Sequence, residues 1–292
     1  MALIIGTFLV LGCIYFWTLF LADIRHHWHS VNQPGKWITA GIGFIANFLD
    51  SLGIGSFAVA TLGLKMTRSL KNDRLLPGTL NVSCTAAVLL EATLFAKTIK
   101  VDRLTLISMV LAAVIGASIG SRIIARFNER HIRIIMGIAL LATAGLMTLQ
   151  ITGVMATLGQ GNTATGLTGG RLLLGIGGNF ILGALMTAGI GLYAPCMALT
   201  YLLGLTPACA FPIMMTSCAL LQPVASREFI KNEDYDRKAS FWIALGAIPG
   251  VIIAVTLFKN LNTRLLTWLV IGILIYTAGM MLYRGIRPAP SH

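Results

Sequence analysis

Two glycine pairs are the residues of this sequence with the clearest capacity for chemistry. Gly53 and Gly55 interrupt one long apolar segment, and Gly189 and Gly191 interrupt another. A helix that restarts after such a break has backbone N–H groups without partners, and these groups attract anions. Glycine also lets a ligand approach the backbone closely, because it has no Cβ. The two breaks therefore predict a pair of anion-binding tips.

Polar side chains near the two tips could complete an anion site. Ser56 follows the first tip and Tyr193 follows the second. On the next helix of each half, polar residues three and four positions apart share one face. The predicted contacts are Gly53, Gly55, Ser56, Asn81, Cys84, Thr85, Gly189, Gly191, Tyr193, Cys218 and Gln222. Small polar side chains also allow close helix packing in membranes, so that role stays open for the individual side chains.

Two carboxyl groups, Asp50 and Glu91, fall well inside apolar segments. Carboxylates at membrane depth are functional candidates by default. Asp50 lies one turn before Gly53, where it could carry a coupling proton or order the chain by accepting hydrogen bonds from backbone N–H groups. Glu91 lies near the outer end of its segment and near Lys97. It is predicted to extend to the interface or to form an ion pair.

The remaining motifs do not indicate a cofactor, a metal or an enzyme. The five cysteines lie in apolar segments, with no CxxC pair and no Cys/His spacing suited to zinc. His26, His27 and His29 flank a tryptophan, which is typical of a membrane interface. The sequence has no P-loop motif for nucleotide phosphates. An enzyme would need a nucleophile near a histidine, or a metal shell, so we predict no enzyme, no cofactor and no metal site.

Composition places these residues in a membrane protein. Of the 292 residues, 56% are apolar and 11% are charged, whereas about a quarter are charged in soluble domains. The mean hydropathy is +0.82. The formal net charge of +12 resides in short loops, where it sets orientation and contacts lipid headgroups. The predicted partner is therefore the lipid bilayer, and no nucleic acid.

Nine apolar segments are present, and two of them have an unusual length. The segments are 2–22, 36–64, 75–96, 104–124, 132–150, 171–204, 208–226, 240–258 and 264–284. Segments 36–64 and 171–204 are too long for one span of about 20 residues and too short for two. We predict re-entrant helical hairpins there, with the glycine pairs at their tips. This arrangement puts most lysines and arginines on the inner side, whereas two full spans would divide them almost evenly.

An internal repeat relates the two halves of the chain. Each predicted repeat contains one hairpin followed by three spans, an odd number, so the second copy is predicted to be inverted relative to the first. Four motifs recur in the same order: Gly53-Ile54-Gly55 with Gly189-Ile190-Gly191, Ser83-Cys84 with Ser217-Cys218, Gly116-Ala117-x-x-Gly120 with Gly246-Ala247-x-x-Gly250, and Thr143-Ala144-Gly145-x-Met147 with Thr277-Ala278-Gly279-x-Met281.

The predicted fold class is therefore an all-α polytopic membrane protein with an inverted repeat. The N-terminus is predicted outside and the C-terminus inside. Gly116-x-x-x-Gly120 could pack helices within one chain or between two, which leaves a homodimer open. The predicted parts are an extra N-terminal transmembrane helix (1–22), the first repeat (36–150), a polar extracytoplasmic linker (151–170), the second repeat (171–284) and a cytoplasmic tail (285–292).

The hairpin motifs resemble those of a known family. The stretches are FLDSLGIG at 48–55, GIGLYAP at 189–195 and GLTPACA at 204–210. Together they are similar to the sulfite exporter TauE/SafE family, also called the toluene sulfonate uptake permease family. The resemblance covers about 36–284. It implies the transport of sulfite, sulfonates and related sulfur-containing anions.

These expectations combine into a prediction of function. We expect a secondary transporter in the cytoplasmic membrane that moves a small sulfur-containing anion by alternating access at a site near the midplane. An anion channel would use the same residues. A membrane-embedded enzyme or a purely structural membrane protein are further alternatives. The identity of the anion, the direction of transport and proton coupling stay open.

Overall fold

The fold is all-α, as predicted. A computed structural model describes residues 2–31, 34–52, 54–70, 72–95, 101–257 and 264–286. These residues form no strand, and Ala164 and Leu205 make an isolated β-bridge. The helices are α1 (Ala2–His26), α2 (Trp28–Val31), α3 (Lys36–Ser51), α4 (Ser56–Met66), α5 (Leu76–Phe95), α6 (Arg103–Ile124), α7 (Glu129–Ile151), α8 (Val154–Leu158), α9 (Gly169–Thr187), α10 (Tyr193–Leu202), α11 (Pro207–Lys231), α12 (Arg237–Leu257) and α13 (Arg264–Ile286), and a 3₁₀ turn (Asp73–Leu75) precedes α5.

Eight helical stretches among the described residues are long and apolar enough to cross a membrane. Seven of them coincide with the segments predicted as full spans, and the eighth is α9, the first arm of the second hairpin. The stretches are Gly6–His26, Asp73–Leu94, Arg103–Ile124, Glu129–Ile151, Gly169–Thr187, Cys209–Lys231, Arg237–Thr256 and Thr267–Ile286. The prediction of a polytopic membrane protein is confirmed.

Both long segments break into two helices at their glycine tips. Each first arm ends with a hydrogen bond from an isoleucine N–H to the carbonyl five residues earlier, from Ile54 to Leu49 at 3.0 Å and from Ile190 to Leu185 at 3.4 Å. This pattern is typical of a helix terminated by a left-handed residue. Gly189 has φ +100°, a value that side chains disfavour. The same hydrogen-bond pattern therefore ends α3 and α9.

The first arm of each hairpin packs against a helix of the other half through glycine. An added Cβ on Gly43 of α3 would meet the backbone carbonyl of Ile243 of α12. In the corresponding pair, a Cβ on Gly183 of α9 would meet the carbonyl of Ala113 of α6. The same kind of interface thus occurs twice, with the halves exchanged. This correspondence supports the predicted repeat.

Gly116 and Gly120 take part in one of these interfaces. A Cβ on Gly116 would meet the carbonyl of Phe180, and a Cβ on Gly120 would meet the backbone of Ala184, both on α9. The Gly116-x-x-x-Gly120 motif is therefore used for packing within the chain. It no longer argues for a homodimer.

The linker between the halves contacts both of them. The side-chain amide of Asn162 donates to the carbonyl of Tyr201 at 2.8 Å, at the end of α10. The Asp102 N–H, at the start of α6, donates to the carbonyl of Thr165 at 2.8 Å, and the Thr206 N–H donates to Ala164 at 2.9 Å. The linker thus joins the second hairpin to the first half.

A labelling experiment tests the re-entrant hairpins and the inversion. We expect single cysteines at Lys36 and Met66 to be labelled from the cytoplasmic side, and single cysteines at Arg171 and Leu202 from the opposite side. The variants are made without the native cysteines and treated with an impermeant maleimide. If either pair divides between the two sides, that hairpin crosses the membrane and the inverted symmetry is lost.

Candidate functional site

A cavity of about 60 Å³ lies between the two hairpin tips. It is lined by both tips and by α5, α7, α9 and α11. The predicted residues in its wall are Asp50, Gly55, Ser56, Gly189, Gly191, Tyr193, Cys218 and Gln222. Gly53, which was also predicted to contact the ligand, lies outside the described residues. The breaks in both hairpins thus contribute to a single cavity.

The first tip already holds an acidic group. The Ser56 N–H, the first of α4, donates to Oδ1 of Asp50 at 3.0 Å. Gly55 precedes it with φ +93°, which turns the chain into the new helix. An ionised carboxylate here is favoured by the positive end of the α4 dipole. The same carboxylate competes with any other anion for the backbone N–H groups at the start of α4.

The second tip has no such group. Among the described residues, no side chain caps the start of α10. Pro195, in the first turn of α10, has no backbone N–H group. A Cβ placed on Gly191 would meet no atom within 4 Å, and the same holds for Gly55, so both tips border open space and differ in that Asp50 occupies the first. The start of α10 is therefore the more accessible of the two positive helix ends.

Gln222 of α11 faces the cavity with an unsatisfied amide. Its side chain is 1% exposed. Neither Nε2 nor Oε1 has a hydrogen-bond partner among the described residues. A buried polar group without a hydrogen-bond partner lowers the free energy of unfolding by about 1–3 kcal/mol. Such a group in a cavity wall points to a ligand that satisfies it.

The polar face predicted on α5 does not line the cavity. Nδ2 of Asn81 donates to the carbonyl of Thr187, the last residue of α9, at 3.3 Å. The hydroxyl of Thr85 lies 2.9 Å from that of Ser226 on α11. Cys84 is fully buried in the core. The structure therefore places these three residues at helix contacts around the site, and Asn81 supports the end of the second hairpin's first arm.

Glu91 lines the cavity, which differs from its predicted position. The prediction that it extends to the interface was wrong, because its side chain is 1% exposed and lines the cavity. The hydroxyl of Ser51 donates to Oε1 of Glu91 at 2.5 Å. Lys97, its predicted neighbour, lies outside the described residues. The helical spacing from Cys84 through Val88 to Glu91 was the available signal, since these residues share one face.

Other lining residues were also missed. Thr143 of α7 belongs to a motif that recurs in the repeat, which was a usable signal. Met186, Met214 and Met215 are apolar and carried no chemical signal. Their unbranched thioether side chains adapt readily to the shape of a ligand.

A cluster of Asp23, His27 and Glu233 lies at one end of α1, with ligand-type atoms within 4.8 Å of one another. The sequence predicts no metal site at these histidines, because they flank a tryptophan as at a membrane interface. Arg237 donates to both acids, from Nε to Asp23 at 2.7 Å and from Nη2 to Glu233 at 2.8 Å. The guanidinium already neutralises much of their charge, so the cluster is better described as an ion-pair network than as a metal centre.

A second, polar cleft of about 570 Å³ lies at the ends of α6 and α11. Arg74 forms an ion pair with Asp234 across this cleft, with 2.7 Å between Nη2 and Oδ1. Burial raises the pKa of Asp234, and the positive charge of Arg74 opposes this shift. Its basic residues are Arg74, Arg122, Arg126 and Lys231. They outnumber its two acidic residues, so the cleft concentrates anions near the surface predicted to face the cytoplasm.

Comparison with known proteins gives one family. The model described as sulfite exporter TauE/SafE matches residues 1–147 and 171–292. The predicted resemblance is confirmed, and the match extends beyond the predicted range to include α1. The unmatched stretch nearly coincides with the predicted linker. No curated protein and no solved structure matched the chain.

Proposed function

The chain belongs to the sulfite exporter TauE/SafE family, and on this premise we propose that it is a secondary transporter for a small sulfur-containing anion such as sulfite or a sulfonate. The anion binds in the cavity between the hairpin tips. The protein alternates between inward-open and outward-open states in the cytoplasmic membrane, with its N-terminus outside and its C-terminus inside. The two halves act as inverted repeats around this site.

The observation that carries the proposal is the unpaired amide of Gln222 beside the open start of α10. The Nε2 group can donate to an anion, and the first N–H groups of α10 can donate from the other side. Both are neutral donors. They bind an anion by partial charges, which permits release to either side of the membrane.

The size of the cavity favours a compact anion. An engineered cavity of about 150 Å³ is known to bind benzene, whereas this cavity measures about 60 Å³. Sulfite or a short alkyl sulfonate is therefore a better match to the described state than an aromatic sulfonate. No covalent step is implied.

Gln222→Leu tests this assignment. The substitution keeps the approximate side-chain volume but removes the donor. We expect anion affinity to fall about tenfold or more, because a hydrogen bond to a charged group contributes about 1.5–3 kcal/mol. We also expect the melting temperature without anion to be maintained or to rise, since an unsatisfied buried amide is removed. Isothermal calorimetry with a panel of sulfite, thiosulfate and sulfonates, together with thermal unfolding, measures both effects.

Gln160→Leu is the matched control, because Gln160 is exposed in the linker. It should leave anion affinity unchanged. Wild-type affinity in Gln222→Leu would remove this residue from the site. Saturable counterflow in proteoliposomes then distinguishes a transporter from an anion channel, because a channel does not exchange one anion for another across a closed gate.

A further inference from the structure

Two carboxyl groups reach the same cavity from different helices. Asp50 comes from the last turn of α3, and Glu91 comes from α5. Ser51, the neighbour of Asp50, donates its hydroxyl to Glu91 at 2.5 Å. The side chain of Glu91 thus contacts the residue next to Asp50, and the hairpin tip and α5 are joined at this point. The sequence places these acids 41 positions apart.

In the described part of the chain, no basic side chain offsets these two acids. Among the described residues that line the cavity, none is lysine, arginine or histidine. The other titratable groups that face the pair are Tyr193 of α10, Cys218 of α11 and Cys84 of α5, all of which are neutral when protonated.

The other helices around the pair, as far as the structure describes them, also place no positive charge beside it. The lining residues from α4, α7 and α9 do not titrate. Helix α12, which packs against α3 and α5, carries Arg237 and Lys238 in its first turn. Arg237 bonds to Asp23 and Lys238 bonds to the carbonyl of Pro34, so neither side chain points to the cavity.

Two carboxyl groups that line one small cavity without a cation do not both ionise readily. An anion in the same cavity would add a third negative charge. The ionised form of Asp50 would also occupy the N–H of Ser56 at the first tip. Anion binding is therefore favoured when the carboxyl groups are neutral.

We propose that Asp50 and Glu91 form a two-carboxyl proton site, which holds one proton when the cavity is empty and takes up a second when the anion binds. This inference rests on the proposed function, since the anion is the ligand that the second proton accompanies. A neutral Glu91 still accepts the hydrogen bond from Ser51 and can donate its own O–H into the cavity. The protein thereby moves an anion together with a proton.

The test measures methanesulfonate binding by calorimetry between about pH 5 and about pH 8, with full-length purified protein. Methanesulfonate is the anion of a strong acid, so its charge is constant over this range. Wild-type affinity should weaken by up to about tenfold per pH unit once the second proton is no longer held. A wild-type affinity that is independent of pH would overturn the proposal.

Glu91→Gln removes the like charge beside Asp50, so the remaining carboxyl group loses its proton at lower pH. This shift concerns the proton that the empty cavity holds. Anion binding should still take up one proton in this variant, so we expect affinity to fall again by up to about tenfold per pH unit, with binding near pH 5 little changed. Asp50→Asn should behave in the same way. The double variant should bind independently of pH, and more tightly than wild type near pH 8. Glu233→Gln, an exposed acid outside the cavity, should behave as wild type.

A double variant whose anion affinity still depends on pH would show that the pair is not the proton site. Infrared spectroscopy of the anion-free protein gives an independent measurement. We expect a protonated carboxyl signal at neutral pH that is lost in Glu91→Gln and in Asp50→Asn. If no anion of the panel binds at any pH, the proposed function fails, and the infrared signal alone then decides whether the pair shares a proton.

Discussion

Replacement of Gly191 by leucine is expected to abolish anion transport and to leave a folded protein in the membrane. A Cβ at this position meets no atom within 4 Å, and the residue lines the cavity. The leucine side chain would therefore extend into the space where the anion meets the start of α10. Because the neighbouring backbone and side chains need not move, the effect on folding should be small.

Gly191→Leu is a cleaner test than the equivalent change at Gly55. Gly55 has φ +93°, so a leucine there also strains the backbone. Gly177→Leu is the matched control, because Gly177 lies on α9 of the same hairpin, is exposed, and also has no atom near an added Cβ. Transport is measured as counterflow of a labelled sulfur-containing anion in proteoliposomes, and folding by size-exclusion chromatography and thermal unfolding.

In this experiment Gly177→Leu should transport as wild type does, while Gly191→Leu should show only the background of empty vesicles. Near-normal counterflow in a Gly191→Leu protein would remove the second tip from the anion site. Because the hairpin tips are central to the proposed function, this result would also require another location for the substrate.

The second large effect is expected for the double variant Asp50→Asn with Glu91→Gln. A monoanion that moves with one proton carries no net charge, so wild-type flux should follow the pH gradient. The neutral pair should let the anion move alone. Its distribution then follows the membrane potential, which favours outward movement of one negative charge by about 2.3 kcal/mol per 100 mV. At a membrane potential of about 100 mV, inside negative, the anion concentration inside should be roughly 40-fold lower than the concentration outside at equilibrium.

Proteoliposomes with an imposed pH gradient, and separately with an imposed potential, measure this change of driving force. We expect anion-for-anion exchange to persist in the double variant and accumulation driven by the pH gradient to disappear. Asp50→Asn alone is the structural control, because the oxygen of asparagine can still accept the hydrogen bond from Ser56 that begins α4. Loss of exchange in a well-folded Asp50→Asn protein would make Asp50 a structural residue of the hairpin. Accumulation by the double variant under a pH gradient alone would contradict proton coupling.

Local features of the sequence were sufficient to determine the helices and their breaks. Composition and segment length identified seven of the eight candidate spans among the described residues, because a helix satisfies its backbone hydrogen bonds within the bilayer. The glycine pairs located both tips, since a left-handed turn and a missing Cβ are properties of one residue type. These features depend on residues close together in the chain, so a single sequence contains them.

The tertiary structure decided which polar groups meet the ligand. The spacing of Asn81 and Thr85 correctly placed them on one helical face, but that face contacts α9 and α11. Among the described residues with unpaired buried polar atoms, Gln222 is the one that lines the cavity. Whether an amide has a partner depends on its neighbours across the helix interface.

Packing likewise brought Glu91 beside Asp50, through Ser51. Helical periodicity defines which residues share a face, but it does not define which helix that face will contact. The break near each tip could therefore be predicted from the sequence, whereas the pairing of two distant carboxyl groups in one cavity follows only from the way α3 and α5 pack together.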